Sequence, residues 1–313
     1  MTQQYFSLTP DLEQKGIRIF KEMSKNLSSP PSIVSEDDIF ALTPEFQDPI
    51  SSAKKVLFST SENVLRMISQ SIDISQQKCI FTYIGEAATN DKRMAYFQHN
   101  NSNNTIFINY IGEQIHLSDA NIHHPHTLRL GALRKDITPA RLFLADSNFI
   151  FFNLNALKWS DAPAQNSQNV SGIPSEDANI LAYMAGQSNK NRYLILYGLD
   201  TPERDPYDLT LHTALQILWY YWYGATEKAQ IWPIPEAQLQ DFTIDSKMIE
   251  ENLLFRKDQI TGNWFHKIPF DLPDFLSDHQ WITTNHDEYL SAANEDIPIR
   301  LLSTYEHLKD LIK

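Results

Sequence analysis

The sequence predicts an α/β protein of three layers, α/β/α, built on a mostly parallel sheet. Three observations carry that expectation. Short, largely apolar runs at residues 79–84 (CIFTYI), 149–152 (FIFF) and 193–199 (YLILYGL) have the length and composition of strands buried on both faces. Stretches with apolar residues at helical spacing lie between them, and strand–helix alternation is the pattern of a parallel sheet covered on both sides. A chain of 313 residues, 42% hydrophobic and 12% aromatic, can also bury a sizeable core.

The elements follow in order. Residues 8–25 can form an amphipathic helix with Leu12, Ile17, Ile19, Phe20 and Met23 on its apolar side, and 26–31, ending in Pro30 and Pro31, break it. The acidic, turn-rich segment 36–49 reads as a surface connection. Val56, Leu57 and Phe58 make a short strand, and 61–72 fits a helix with Ser61 as N-cap and Val64, Leu65 and Ile68 inward. The strand 79–84 runs into Gly85, Glu86 and on to Asp91, and 105–111 (TIFINYI) is the next strand.

His123, His124 and His126, with Pro125 among them, invite a metal reading because imidazole is the commonest transition-metal side-chain ligand. Adjacent histidines without strand or helix spacing rarely converge on one ion, so the segment reads as an exposed polar loop. Residues 136–145 fit a helix with Pro139 in its first turn. Residues 174–185 fit another, with Glu176 and Asp177 in the first turn and Gly186 as the stop. A long helix over 208–223 places Leu211, Leu215, Leu218, Trp219 and Trp222 at helical spacing, and its aromatic run reads as core packing plus a subunit contact. The tail carries Trp264, Phe265, proline-rich connections and helices near 287–293 and from Leu301. With no internal repeat and no low-complexity linker, one domain over 1–313 is expected.

Composition excludes several function classes. A net charge of −13 without a Lys/Arg run argues against a nucleic-acid partner. No apolar run approaches the roughly 20 residues of a membrane span, and the start lacks the basic-then-apolar order of a signal peptide. The lone Cys79 rules out an intrachain disulfide framework and a cysteine-based zinc cluster. A cytoplasmic protein is expected. Glycine, at nine residues, is scarce against a usual share of about 7%, which leaves few places where backbone can approach a ligand closely.

The stretch 149–163 (FIFFNLNALKWSDAP) organises the rest. In an open α/β sheet, side chains at the carboxyl end of a strand line the ligand crevice. Asn153 and Asn155 stand two residues apart, on one face if the strand continues, and Asp161, Ala162 and Pro163 follow. This stretch is similar to a motif of the ureohydrolases (arginase, agmatinase and formimidoylglutamase): Asp-x-Asp at a strand end, then Asp-Pro or Asp-Ala-Pro, with the two aspartates binding a pair of manganese ions. Residues 172–186 (GIPSEDANILAYMAG), 192–224 (RYLILYGLDTPERDPYDLTLHTALQILWYYWYG) and 286–308 (HDEYLSAANEDIPIRLLSTYEHL) resemble the formimidoylglutamase branch, as does the short signature Arg129, Leu130, Gly131. The resemblance runs from about Leu128 to the C-terminus, and the preceding half, about 1–127, is shortened and divergent. The resemblance implies an arginase/deacetylase-like fold.

The departures from the motif bear on activity. Asn153 and Asn155 stand where the family has aspartates. Gly85 is present after the earlier strand, but the metal-binding histidine is not. The residues from Asn109 to His116 contain no Asp-x-His-x-Asp. A di-manganese site needs hard anionic oxygens to hold two cations close together, and an amide offers one neutral carbonyl. Clustered carboxylates without metal repel, whereas amides hydrogen-bond to one another. The expectation is a catalytically inactive formimidoylglutamase/arginase-like homologue with no cofactor. It would act as a binding or structural protein for an unknown protein partner or small molecule, with a homo-oligomer as the default. The alternative is a manganese-dependent hydrolase of linear amidines, with a formimidoylglutamate- or arginine-like substrate and a rearranged site drawn from Glu86, Asp91, Glu113, His116, Asp161 and Glu176. Asp161 also suits a turn before Pro163, and Glu176 suits a helix N-terminus.

Overall fold

A computed structural model describes residues 3–28, 30–34, 54–59, 78–117, 125–227, 234–246, 249 and 251–313. The chain divides into two compact units, Met1–Glu227 and Lys228–Lys313. The physical reason is that each unit has its own sheet, of different type.

Among the described residues, the first unit is built on eight strands. In chain order they are β1 (Gln3–Ser7), β2 (Ser32–Val34), β3 (Lys55–Ser59), β4 (Cys79–Ile84), β5 (Thr105–Ile111), β6 (Thr127–Leu128), β7 (Phe149–Asn153) and β8 (Tyr193–Tyr197). They lie in the order β2-β1-β3-β8-β7-β4-β5-β6, and every neighbouring pair is parallel. Strands β3, β4, β7 and β8 are buried along their whole length, which is what their unbroken apolar text requires.

Alternation divides these strands between two cores. Ile84, Ile150, Phe152, Leu194 and Leu196 face one side, under helices α1 (Pro10–Met23), α3 (Leu130–Lys135), α4 (Ala140–Leu144), α5 (Ser175–Gln187) and α6 (Leu209–Thr226). Phe81, Tyr83, Phe149, Phe151, Tyr193, Ile195 and Tyr197 face the other, under α2 (Lys92–Asn100), which contributes Met94 and Phe97. Two helical layers over one parallel sheet make the three-layer α/β/α fold.

Local differences have local causes. Of the helix expected at 136–145, only Ala140–Leu144 (α4) forms; before it lies a turn in which the Asp136 carboxylate accepts from Thr138 N at 2.9 Å and Thr138 Oγ1 at 2.8 Å, and α3 precedes that turn. Gly186 does not stop α5. It sits inside the helix, where a Cβ would lie 2.0 Å from the Tyr221 carbonyl oxygen, so its job is close packing against α6. Strand β1 was not foreseen, since QQYFS is polar in text; Gln4 is nonetheless buried and accepts from Trp222 Nε1 at 2.5 Å. The expected helix at 61–72 and the connection at 36–49 fall outside the described residues.

The second unit has an antiparallel sheet in the order β12-β11-β10-β9, from β9 (Leu239–Ser246), β10 (Glu251–Asp258), β11 (Trp264–Lys267) and β12 (Trp281–Thr284). Helices α7 (His286–Ala293) and α8 (Ile299–Ile312) follow. Tyr289 of α7 stacks on Trp264, and Tyr305 of α8 bonds to His266, so both helices pack on one face of that sheet. Among the described residues, no helix is long and apolar enough to cross a membrane.

Candidate functional site

The carboxyl ends of β4, β7 and β8 open into a cleft of about 330 Å³ lined by Glu86, Asn90, Asp91, Asn153, Asn155, Asn166 and Asp200, among others. Tyr83, Asn153 and Tyr197 stand on the same face of adjacent strands. They converge on one carboxylate, that of Asp91, which follows β4 and caps α2. Asp91 Oδ2 accepts from Asn153 Nδ2 at 2.8 Å, from Tyr197 OH at 2.7 Å and from Tyr83 OH at 3.3 Å. Its Oδ1 accepts from the backbone N–H groups of Arg93 at 2.9 Å and Met94 at 3.3 Å, the N-cap pattern. Burial, and after it the Asp91 charge, push both tyrosines well above the ordinary phenol range, so they stay protonated donors.

Asn153 is the last residue of β7, and a 3₁₀ turn over Leu154–Ala156 follows at once. Asn155 is therefore not on the strand face beside Asn153, as alternation predicted. Instead Asn153 Oδ1 accepts from the Asn155 backbone N–H at 3.0 Å. Asn155 still lines the cleft, and its own Oδ1 is buried without a hydrogen-bond partner. Gly198 makes this turn possible: its φ is +103°, and a Cβ there would lie 2.5 Å from Asn153 Oδ1.

Across the cleft, Arg93 Nη2 donates to Asp200 Oδ1 at 2.5 Å and Asn166 Nδ2 donates to Asp200 Oδ2 at 2.9 Å. Glu86 Oε2 accepts from Ser167 Oγ at 2.7 Å and Asn169 Nδ2 at 3.1 Å.

The other candidates lie elsewhere. Asp161 Oδ2 accepts from Ser175 N at 2.9 Å and so caps α5 from a preceding turn, because the N-cap residue itself is Pro174. Glu176 is exposed on the first turn of α5. Glu113 is buried and accepts from Ala88 N at 3.3 Å, and His116 is exposed. None of these four lines the cleft. His123 and His124 fall outside the described residues. His126, expected in an exposed loop, is buried and stacked on Phe107 with ring centroids 4.2 Å apart.

The sequence reading missed Arg93, Asp200, Tyr83, Tyr197 and Asn166. Arg93 and Asp200 are separated by 107 residues, and no local pattern couples them. The signal available was positional: Tyr83 and Tyr197 stand at or next to the carboxyl ends of strands that the text marks clearly.

No protein-family model matches the chain. No curated protein matches it either. Solved structures do. Formimidoylglutamase from Bacillus subtilis superposes with a TM-score of 0.57 at 11% identity, over 72% of this chain and 87% of that one. Formiminoglutamase from Trypanosoma cruzi, solved with manganese, gives 0.55 at 13% identity over 72% and 93%. Arginase from Bacillus subtilis gives 0.51 at 11% identity over 71% and 98%. The fold is that of the ureohydrolases. At these identities the likeness is one of fold.

The ureohydrolase fold raises the question of whether this cleft suits manganese, and the donor set does not. Among the described residues, no group of three or more His, Cys, Asp or Glu is placed to hold a metal ion. Asp91 has both oxygens engaged by five donors, and Asp200 has both engaged by Arg93 and Asn166. A divalent cation needs such oxygens free of competing donors. Glu86 Oε1, one oxygen of a carboxylate whose other oxygen is already engaged, and the neutral Asn155 Oδ1 remain, too few anionic donors for a pair of divalent cations.

Proposed function

We propose that the protein is a catalytically inactive ureohydrolase-like homologue without a di-manganese site, and that it works as a binding or structural protein. The observation that carries this reading is the Asp91 carboxylate. It is held by Asn153, Tyr197, Tyr83 and two backbone N–H groups, so both of its oxygens are engaged by donors of the protein itself. The chemistry expected of a di-manganese hydrolase is a bridging water made nucleophilic by two adjacent cations, and this reading assigns no group to that role. A protein partner or a polar small molecule and a homo-oligomeric state remain part of the proposal.

The test is turnover of formimidoylglutamate, arginine and agmatine by the full chain with added manganese. No turnover is expected, with or without chelator. Turnover that is lost on chelation would overturn the reading and favour a hydrolase of linear amidines.

A further inference from the structure

The cleft carries its own cation. Arg93, in the first turn of α2, reaches the Asp200 carboxylate at 2.5 Å, and the two side chains are only 18% and 12% exposed. Its guanidinium carbon lies 5.3 Å from the centre of the Tyr197 ring, within cation–π range. Its backbone N–H holds the neighbouring carboxylate, Asp91. Burial alone would weaken the guanidinium, but the charge of Asp200, its hydrogen bond, and then the charge of Asp91 outweigh that and keep it firmly protonated. One residue thus serves two carboxylates that follow different strands, β4 and β8: its side chain bonds to Asp200 and lies over the Tyr197 ring, its backbone N–H bonds to Asp91, and its guanidinium also feels the Asp91 charge.

We propose that Arg93 is a tethered cation. Its guanidinium occupies the place beside Asp200 and Asp91, over Tyr197, that a free cation would otherwise take, and it closes the cleft to manganese and to other small cations. The place is in chemical terms a guanidinium site: a carboxylate acceptor, a second carboxylate nearby and a flat aromatic face. In the resting protein its ligand is part of the chain. This inference rests on the metal-free reading of the cleft and adds the group that makes the cleft metal-free.

The experiment is thermal melting of the full chain and of Arg93→Ala and Arg93→Lys. Each is measured with methylguanidinium at millimolar concentration, with sodium chloride at the same ionic strength, and with manganese. The wild type should respond to none of them. Arg93→Ala should melt several degrees lower, and methylguanidinium should restore the melting temperature saturably where sodium chloride does not. Arg93→Lys should recover part of the loss, since an ammonium keeps the charge but not the planar fork. An unchanged melting temperature in Arg93→Ala, or a lowered one that methylguanidinium leaves unaltered, would overturn the proposal.

Should Arg93→Ala not fold, side-chain NMR of the wild type decides. Slow proton exchange and hindered rotation of the Arg93 guanidinium are expected, and a freely rotating, fast-exchanging group contradicts the proposal. Stabilisation of the wild type by manganese together with amidine turnover would sink the metal-free reading itself. Failed rescue in a protein still blind to manganese would sink only the tethered cation.

Discussion

Asn153 donates from Nδ2 to Asp91 Oδ2 across 2.8 Å, joining the end of β7 to the cap of α2. An amide and a carboxylate can share that bond; two carboxylates at that distance cannot both ionise. Asn153→Asp should therefore destabilise the protein by about 1–3 kcal/mol at neutral pH, through the lost bond and the new repulsion. The introduced carboxyl, set beside an anion, would hold its proton more tightly in the folded state than in the unfolded one. Its contribution is present below the ordinary carboxylate range and is lost as pH rises through the raised value. Urea melts should show the gap to wild type narrowing in acid and widening toward neutrality. A gap that is absent, or independent of pH, speaks against the bond.

Gly198 is the second support of the same turn. Its φ is +103°, and a Cβ added there would stand 2.5 Å from Asn153 Oδ1. Gly198→Ala should therefore cost about 2–4 kcal/mol. Chemical denaturation measures it, and a loss below about 0.5 kcal/mol would show that the turn can relax.

Asp161 distinguishes a cap from a ligand. Asp161→Ala removes an acceptor from the Ser175 N–H at the start of α5 and should lower stability by about 1 kcal/mol. The change should be the same with and without manganese. A loss that appears only when manganese is present would return Asp161 to a metal role.

The second unit has its own pH signature. His266 is buried, with Nδ1 at 3.1 Å from the Leu254 carbonyl and Nε2 bonded to Tyr305 OH. Burial pulls its pKa from 6.5 down to about 4. The unfolded chain therefore binds the proton first. Stability is full above the ordinary histidine value and is lost as pH falls from about 6.5 to about 4, by on the order of 3 kcal/mol. Hydrogen exchange of β10 and β11 amides against pH should show this slope, and His266→Gln should flatten it. A slope that survives the substitution assigns it to another group.

Much of the fold was legible because a strand buried on both faces must be apolar throughout, as residues 79–84 and 149–152 are. The second unit was not legible for the opposite reason. β9 (LQDFTIDS) and β10 (ENLLFRKD) are half exposed, and charged residues such as Asp241, Glu251, Arg256 and Lys257 blur their alternation. The family resemblance located Asn153 and Asn155, and the structure places both in the cleft. It could not reveal Arg93 meeting Asp200, or Tyr197 meeting Asp91, because those contacts join segments more than a hundred residues apart. Asp161 was ambiguous in the text between a ligand and a turn before Pro163, and Glu176 between a ligand and a helix-terminus role; in the structure Asp161 accepts from the Ser175 N–H at the start of α5, and Glu176 is exposed on the first turn of α5.

The most direct measurement is anomalous diffraction at the manganese edge from crystals of the full chain grown with excess manganese. No anomalous peak is expected in the cleft, with Asn153 still bonded to Asp91 and Arg93 still on Asp200. Two manganese peaks beside Asn153 and Asn155, with Asp91 turned toward them, would contradict it.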